Sequence, residues 1–544
     1  MTIAPRPSRE IDGKGRTVRE LLAGRKYSID YYQREYEWQR KQVAELIDDL
    51  AAKFLESHEE GNERSAVAEY GHYFLGSIIV SDKDGQKFII DGQQRLTTLT
   101  LVLIFLHHKL ADAEQKGQIA DLIFSQKYGK RSFNLDIPER AVCMEALYKG
   151  EDFDGADASE SVANITDADK RTRASRTWKE RVQALAERGK DEDADGIKSW
   201  LRSQYAESIR ERKRGAAPQD FDLIGTEFHR WVRDHEDRLG LTASAEFARL
   251  IERDVAFYAR WYERLRRAAD ALTPGLERVH YNAQHNFTLQ YPVLLAPLRV
   301  EDDEAAALRK LRVVAAYLDI LIHRRIWNWR AIDYSTMQYA MFLVMRDIRG
   351  KSAPELAALL RQRLDAEAET FATNDRFRLH GMNGRQIHRL LARITDYVET
   401  RSGMASRYAE YVQRGKKGYE IEHIWADQPE RHTDEFAHPS EFQEYRNRIG
   451  GLLLLPKSFN ASYGDLPYAE KREHYVGQNL LARSLHEKAY DHNPGFLRFI
   501  ERSGLPFRAH AEFRKADLDA RQALYQKLAE RIWNPAVLDE EAAS

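Results

Sequence analysis

The chain has 544 residues, 43% hydrophobic and 31% charged, with a formal net charge of −2. That length exceeds what one hydrophobic core serves and points to two or three domains, while the composition excludes a largely disordered chain and the charge excludes a protein coated evenly in phosphate-binding residues. A single cysteine, Cys143, excludes intrachain disulfides and multi-cysteine zinc or iron–sulfur centres, so any metal falls to His, carboxylate or amide oxygen, the donors of a hard ion such as Mg²⁺.

The N-terminal stretch has no apolar segment of the export type, and Leu96 to Leu106, the richest apolar run, is too short to cross a bilayer. A cytoplasmic protein without a membrane partner is the expectation. Val43, Leu46, Ile47, Leu50 and Phe54 recur on one helical face. Tyr73 to Val80 reads as a buried strand, Ser81 to Gly85 as a turn and Gln86 to Ile90 as the return strand. The loop Asp91 to Arg95 leads into Leu96 to Leu110, a helix apolar on nearly all sides and therefore buried.

From about 135 to 345 the pattern is almost wholly helical, broken at the acidic, small-residue segment Glu151 to Asp169 and at Gly215 to Pro218. Basic clusters stand at Lys170 to Arg181, Arg210 to Arg214, Arg260 to Arg267 and Arg414 to Lys417; acidic neighbours make the first three ordinary solvated helix faces. Aromatic-rich helices at Tyr258 to Leu272 and Ile326 to Met345 read as core. Beyond Gly350 the chain stays helical to about Arg414. Two strands follow, Tyr419 to Ile424 and Gly451 to Leu455, the second closed by Pro456, and a helix begins between Ser458 and Ala461. These features divide the chain at 1–134, 135–349 and 350–544.

Late in the chain Glu422 directly precedes His423 at a strand end, Asn447 precedes the second strand, and Asn460 stands at the mouth of the helix. Phosphodiester hydrolysis needs a group that takes a proton from water, which a neutral His with a pKa near ~6.5 does at physiological pH. It also needs a cation for the phosphoryl charge, held by a few protein oxygens such as those of Glu422 and Asn460. Neighbours on a strand face opposite ways, so Glu422 and His423 share one site only where the alternation breaks. A lone Glu-His pair is weak; the ordered set Glu-x-Glu-His-Ile, Asn-Arg-Ile-Gly, Leu-Leu-Leu-Leu-Pro, Phe-Asn and Tyr-Ala-Glu-Lys is specific.

From about Arg385 to Tyr475 that set resembles the HNH nuclease half of GmrSD-type, modification-dependent (type IV) restriction enzymes. The resemblance implies a ββα-metal finger with His423 as general base, Glu422 and Asn460 as ligands of Mg²⁺ (or Mn²⁺), Asn447 orienting the His loop, and Lys471 supporting the site or touching phosphate. The chain departs from the family where Gly-Asn-Leu is common: here the residues are Gly450-Gly451-Leu452.

Near the N-terminus, Tyr31-Tyr32-Gln33-Arg34-Glu35-Tyr36-Glu37-Trp38 and the loop Asp91-Gly92-Gln93-Gln94-Arg95 stand out. A tight turn into a helix start presents backbone N–H groups to one point, as a phosphate requires, although the same turn serves equally to cap a helix. With no Gly-x4-Gly-Lys-Ser/Thr, a P-loop motor is excluded. Together with Phe74 to Val80 and Phe88 to Leu99, these motifs resemble the ParB/sulfiredoxin-like N-terminal domain of the same family. That resemblance implies nucleoside triphosphate binding by Gln33, Arg34, Asp91, Gly92, Gln93, Gln94 and Arg95, and NTPase activity coupled to restriction.

The expected fold is therefore mixed α+β and mostly helical: a small α/β N-terminal domain, a helical middle and a C-terminal helical domain carrying the HNH finger. The expected function is an anti-phage, nucleotide-regulated endonuclease acting on double-stranded, modified phage DNA, with a homo-oligomer left open. Two alternatives stand beside it: a nucleotide-switched nucleic-acid-binding protein with a decayed nuclease, and an RNase or toxin.

Overall fold

A computed structural model describes residues 13–29, 38, 40–83, 86–127, 130–151, 168–211, 213, 215–241, 243–413, 415 and 418–544. The chain forms two compact units, one of residues 1–179 with 241–252, the other of 180–240 with 253–544. Among the described residues no helix is long and apolar enough to cross a membrane.

The first unit is built on a four-stranded sheet of β1 (Tyr27–Ile29), β2 (Ile79–Lys83), β3 (Gln86–Asp91) and β6 (Leu135–Asp136). Their order is β2-β3-β1-β6, with β1 parallel to both β3 and β6 and β2 antiparallel to β3. A separate hairpin pairs β4 (Phe124–Lys127) with β5 (Lys130–Phe133). The parallel β3–β1 and β1–β6 pairs need crossover connections, which helices supply. Helix α3 (Gln93–Lys109) buries Leu96 and Leu99 against Tyr27, Ile89 and Leu135. Its threonines are tolerated in that core because Thr98 donates to Gln94 O (2.9 Å) and Thr100 to Leu96 O (2.9 Å), so no hydroxyl is stranded.

Three expectations change here. Only Ile79 onward is strand in the stretch read as Tyr73 to Val80, and Phe74 is 84% exposed. Gly76 has φ +91°, outside the extended region, and an ideal Cβ there would lie 2.6 Å from the Arg95 guanidinium, so the backbone turns where the apolar pattern suggested it ran straight. Helix α2 (Arg40–Leu55) forms, yet of its apolar stripe only Leu46 is buried; Ile47 and Phe54 are exposed. Helix α3 is buried over its first two turns, while Phe105 and Leu106 face solvent.

The expected boundary at 134/135 would cut off β6, whose Leu135 pairs with Tyr27 of β1. Residues 241–252 also return to the first unit after a 61-residue excursion through the second, 180–240. The acidic segment 152–167 lies outside the described residues.

The second unit is helical apart from one hairpin. Its spine is α6 (Glu304–Trp327), buried along nearly its whole length and packed on the helices Glu277–Gln284, Ala353–Ala366 and Val537–Ala543. Helix α6 packs on both 353–366 and 537–543, and residues 253–544 belong to one unit across the expected division at 349/350. Within this core Asp319, 1% exposed, receives two bonds from Arg393 (3.0 and 3.1 Å), and His323 stacks on Trp533 at 4.1 Å. The Arg393 guanidinium, with a hydrogen bond from His323, holds the Asp319 carboxyl well below the usual carboxylate range despite its burial. The aromatic helix Ala256–Asp270 buries Phe257, Tyr258, Trp261 and Tyr262, as core.

Candidate nuclease site

The hairpin joins β7 (Tyr419–His423) to β8 (Leu452–Pro456), antiparallel, with Glu422 opposite Leu453 and His423 opposite Leu452. Helix α9 (Lys457–Tyr463) follows β8 without a loop, giving a β–β–α order. Ile424 N still donates to Gly451 O (2.9 Å), so the ladder runs one step past His423. Four buried leucines, Leu452 to Leu455, seat β8 in the core. Between the strands the chain makes helix α8 (Pro439–Arg446), with Asn447 as its C-cap.

His423 and Asn447 meet directly: His423 Nε2 and Asn447 Oδ1 are 3.0 Å apart. The amide's orientation is fixed because Asn447 Nδ2 donates to the Gln443 carbonyl (2.8 Å), and a carbonyl only accepts. Oδ1 therefore faces the ring, Nε2 carries the ring proton, and Nδ1 keeps its lone pair. Nδ1 makes no hydrogen bond among the described residues. Burial, reinforced by the Arg446 guanidinium, pushes the His423 pKa down to about 4, so the imidazole is neutral near pH 7.

Glu422 goes elsewhere. Its Oε1 accepts from Lys471 Nζ at 2.6 Å, with both side chains almost fully buried, and the same Nζ donates to His423 O (2.9 Å). Burial moves both partners toward their neutral forms, raising Glu422 and lowering Lys471 against their mutual attraction. Strand alternation thus persists through β7, and the break expected to bring Glu422 and His423 to one face is not found. The residues form two adjoining pairs, His423–Asn447 and Glu422–Lys471, tied together by the Lys471 bond to the His423 carbonyl.

Asn460 on α9 donates from Nδ2 to Ile421 O (3.2 Å), one residue before Glu422, while its Oδ1 is buried with no partner among the described residues. A buried amide oxygen without a donor costs about 1–3 kcal/mol unless something positive approaches it. That orphan fits a hard cation, which Asn460 Oδ1 and the Glu422 oxygen not held by Lys471 would ligate. Among the described residues no group of three or more His, Cys, Asp or Glu side chains could hold a metal ion by itself. Mg²⁺ commonly uses one or two protein ligands and keeps its waters.

Two residues that the sequence reading passed over belong to this neighbourhood. Gln443 fixes the Asn447 amide and also donates to Asp427, and Arg446 donates to Trp425 O (3.1 Å) and lies close enough to depress His423. Gln443, Arg446 and Asn447 are spaced i, i+3, i+4 on α8, the helical spacing that brings side chains to one face and the signal that could have found them.

In the first unit, Asp91, Gly92, Gln93, Gln94 and Arg95 form the junction of β3 and α3. Gly92 is the N-cap at φ +94°, with no side-chain cap, and an ideal Cβ there would lie 2.9 Å from Ile78 Cγ1. Asp91 closes β3 opposite Ile79 and does not cap the helix. Arg95 reaches back, Nη1 donating to Ser77 O (2.6 Å), and so pins the 71–78 segment over the helix start. Gln33 and Arg34 lie outside the described residues, as do Arg414, Lys416 and Lys417. Two of the other basic clusters are tied to acids through Arg173–Glu252 and Arg266–Glu192.

The family model for the GmrSD restriction endonuclease N-terminal domain matches residues 18–244, and that for the C-terminal domain matches 367–528. Comparison with curated proteins finds no match. Two halves of one family, in order along one chain and covering both the β3–α3 junction and the β7–β8–α9 hairpin, make this chain a member of the GmrSD-type restriction endonuclease family, a nuclease in phage defence that acts on DNA.

Proposed function

We propose that the chain hydrolyses DNA phosphodiester bonds at His423 through an HNH-type, one-metal site. The observation that carries this reading is the His423–Asn447 bond, which leaves Nδ1 of a neutral, half-buried imidazole as the only basic ring atom. His423 Nδ1 takes the proton of the attacking water while Nε2 keeps its own proton on Asn447 Oδ1. That holds one tautomer through the step. Glu422, although strand alternation turns it away from the His423 ring, would hold Mg²⁺ together with Asn460, and the ion would supply neutralisation of the phosphoryl charge and stabilisation of the leaving oxygen. Lys471 keeps the Glu422 carboxylate and the His423 backbone in register. At the β3–α3 junction, the first turn of α3 after Gly92 receives the phosphates of a nucleoside triphosphate, and nucleotide state governs cutting of modified phage DNA.

The test is a nicking assay with Mg²⁺ on plasmid DNA, on phage DNA with glucosylated bases and on tRNA, each with and without nucleotide. His423→Ala abolishes DNA nicking while leaving nucleotide binding intact, and Arg95→Ala weakens nucleotide binding only. Cleavage by His423→Ala at the wild-type rate removes the histidine as base. Cleavage of tRNA alone replaces DNA by RNA.

A further inference from the structure

We infer that the cleft beside β7, lined by Arg385 and Arg389 of helix α7 (Gly384–Arg401) and by Lys457 at the start of α9, is a phosphate-binding track for the DNA strand that runs through the nuclease site. This rests on the nuclease reading and adds to it a binding surface outside the hydrolytic residues. The cleft holds about 600 Å³, and Tyr419, Glu420 and Ile421 form its strand wall.

Charge is the first argument. Among the described residues, three cations line the cleft against one carboxylate, Glu420. Glu420 pairs with Lys457 at 2.9 Å, but both side chains are about half exposed (44% and 55%), where such a pair contributes roughly 0–1 kcal/mol and exchanges readily for a phosphate. Arg385 is exposed, with no hydrogen bond or ion pair among the described residues. Glycines 384, 415 and 418 add no side chains to the lining and leave room for a backbone.

Continuity is the second. The cleft wall and the hydrolytic pairs are successive residues of one strand. At about 3.3 Å per residue, Glu420 lies about 10 Å from His423, about three nucleotide steps along a DNA strand. The opposite rim is also tied to the site. Leu379, which lines the cleft, donates its N–H to Asn447 O (2.8 Å), on the residue that holds the His423 ring.

Rigidity is the third. His388 on α7 bonds to Tyr419 O through Nε2 (2.9 Å), locking the helix to the strand. The turn above is closed by His380 N to Asn383 Oδ1 (2.8 Å) and Asn383 Nδ2 to Arg378 O (3.0 Å), with Met382 at its tip 92% exposed. A stiff turn presenting a bare apolar side chain beside a cationic cleft suits the edge of a nucleic-acid track, where such a group packs on bases.

The experiment is fluorescence anisotropy of the full chain with a short DNA duplex in EDTA, across a range of NaCl concentrations. Arg385→Ala with Lys457→Ala lowers the slope of log affinity against log salt by about 1.8, about 0.9 for each lost phosphate contact. At about 0.15 M salt this weakens binding roughly 10- to 30-fold, and Arg385→Lys with Lys457→Arg restores the slope. Should the double variant misfold, Arg385→Ala alone carries the test, with a slope change of about 0.9. An unchanged slope and affinity in a wild type that binds DNA overturns the track and leaves the nuclease reading standing. A wild type that neither binds nor cuts DNA overturns both.

Discussion

Replacing Asn447 by Ala removes the acceptor that faces the His423 ring. In the native site Oδ1 takes the Nε2 proton of His423 at 3.0 Å, and the amide is itself held by Gln443 O at 2.8 Å. Without it, a partly buried N–H loses its partner, which costs about 1–3 kcal/mol. The ring is then free to turn or to exchange tautomer, presenting Nε2 or an N–H to the water. If about 1.5–3 kcal/mol of that orientation is lost from the transition state, single-turnover nicking falls by roughly 10- to 150-fold. Loss of the base itself in His423→Ala costs about 10²- to 10⁴-fold. Asn447→Asp separates the two roles of the amide: it keeps an acceptor for Nε2 and gives up only the bond to Gln443, so it retains more activity than Asn447→Ala. The assay is conversion of supercoiled to open-circular DNA with enzyme in excess, with urea unfolding as a check on the fold. Nicking by Asn447→Ala at the wild-type rate, or a rate below that of His423→Ala, refutes the orienting role.

Asn460→Ala lowers the apparent affinity for Mg²⁺ in nicking by about tenfold or more, and EDTA abolishes nicking by the wild type; an unchanged Mg²⁺ titration removes Asn460 as a ligand. Gly451→Asn destabilises the fold by about 1–3 kcal/mol in urea unfolding and brings no gain in nicking, because its Cβ would sit 3.1 Å from Arg446 O and 3.2 Å from Leu518 Cδ1; a more stable variant contradicts the packing argument. Burial, helped by His323, holds the pKa of His285 well below its ordinary value. Protons therefore bind the unfolded chain first as pH falls below about 6.5, and stability is lost in that direction, by up to about 2 kcal/mol for such a group between pH 6.5 and 5. His285→Leu flattens that acid limb in urea midpoints, and an unchanged pH slope shows that the titration lies elsewhere.

The parts of the fold legible in the sequence are those where local pattern and burial coincide. Gly451 to Leu455 reads as a strand because its four consecutive leucines end at a proline; the strand formed is Leu452–Pro456, and all four leucines are buried. Asp91-Gly92 reads as a strand-to-helix turn because only glycine takes φ +94° comfortably at a point where Ile78 presses in. Phe74 and Ile47 were misread for one reason: an apolar residue reports what it would gain by burial and says nothing of whether a partner surface arrives. The pairing of Glu422 with Lys471, 49 residues apart, and the return of 241–252 to the first unit depend on distant segments and leave no local trace. The motif identified His423 and Asn447; the bond between them became visible only once α8 placed its C-cap beside the end of β7.

The glycine at 451 and the position of Asn447 follow from one packing constraint. Helix α11 (Lys515–Ile532) lies directly on the turn Ile449–Gly451: Gln522 Oε1 accepts from Gly450 N (2.9 Å), and an ideal Cβ on Gly450 would lie 2.4 Å from Gln522 N and 2.7 Å from Leu518 O. Backbone cannot yield as a flexible side chain does, so 450 is closed to every residue but glycine, while 451 is tight but less so, with Arg446 O at 3.1 Å and Leu518 Cδ1 at 3.2 Å from an ideal Cβ. An amide that serves the histidine has to come from a position that α11 does not cover. Asn447 is that position, at the C-cap of α8, where Gln443, one helical turn back, supplies the carbonyl that sets the amide's orientation. The close seat of α11 and an amide reaching His423 from outside the second strand are therefore compatible, and Gly450-Gly451 marks where the helix sits.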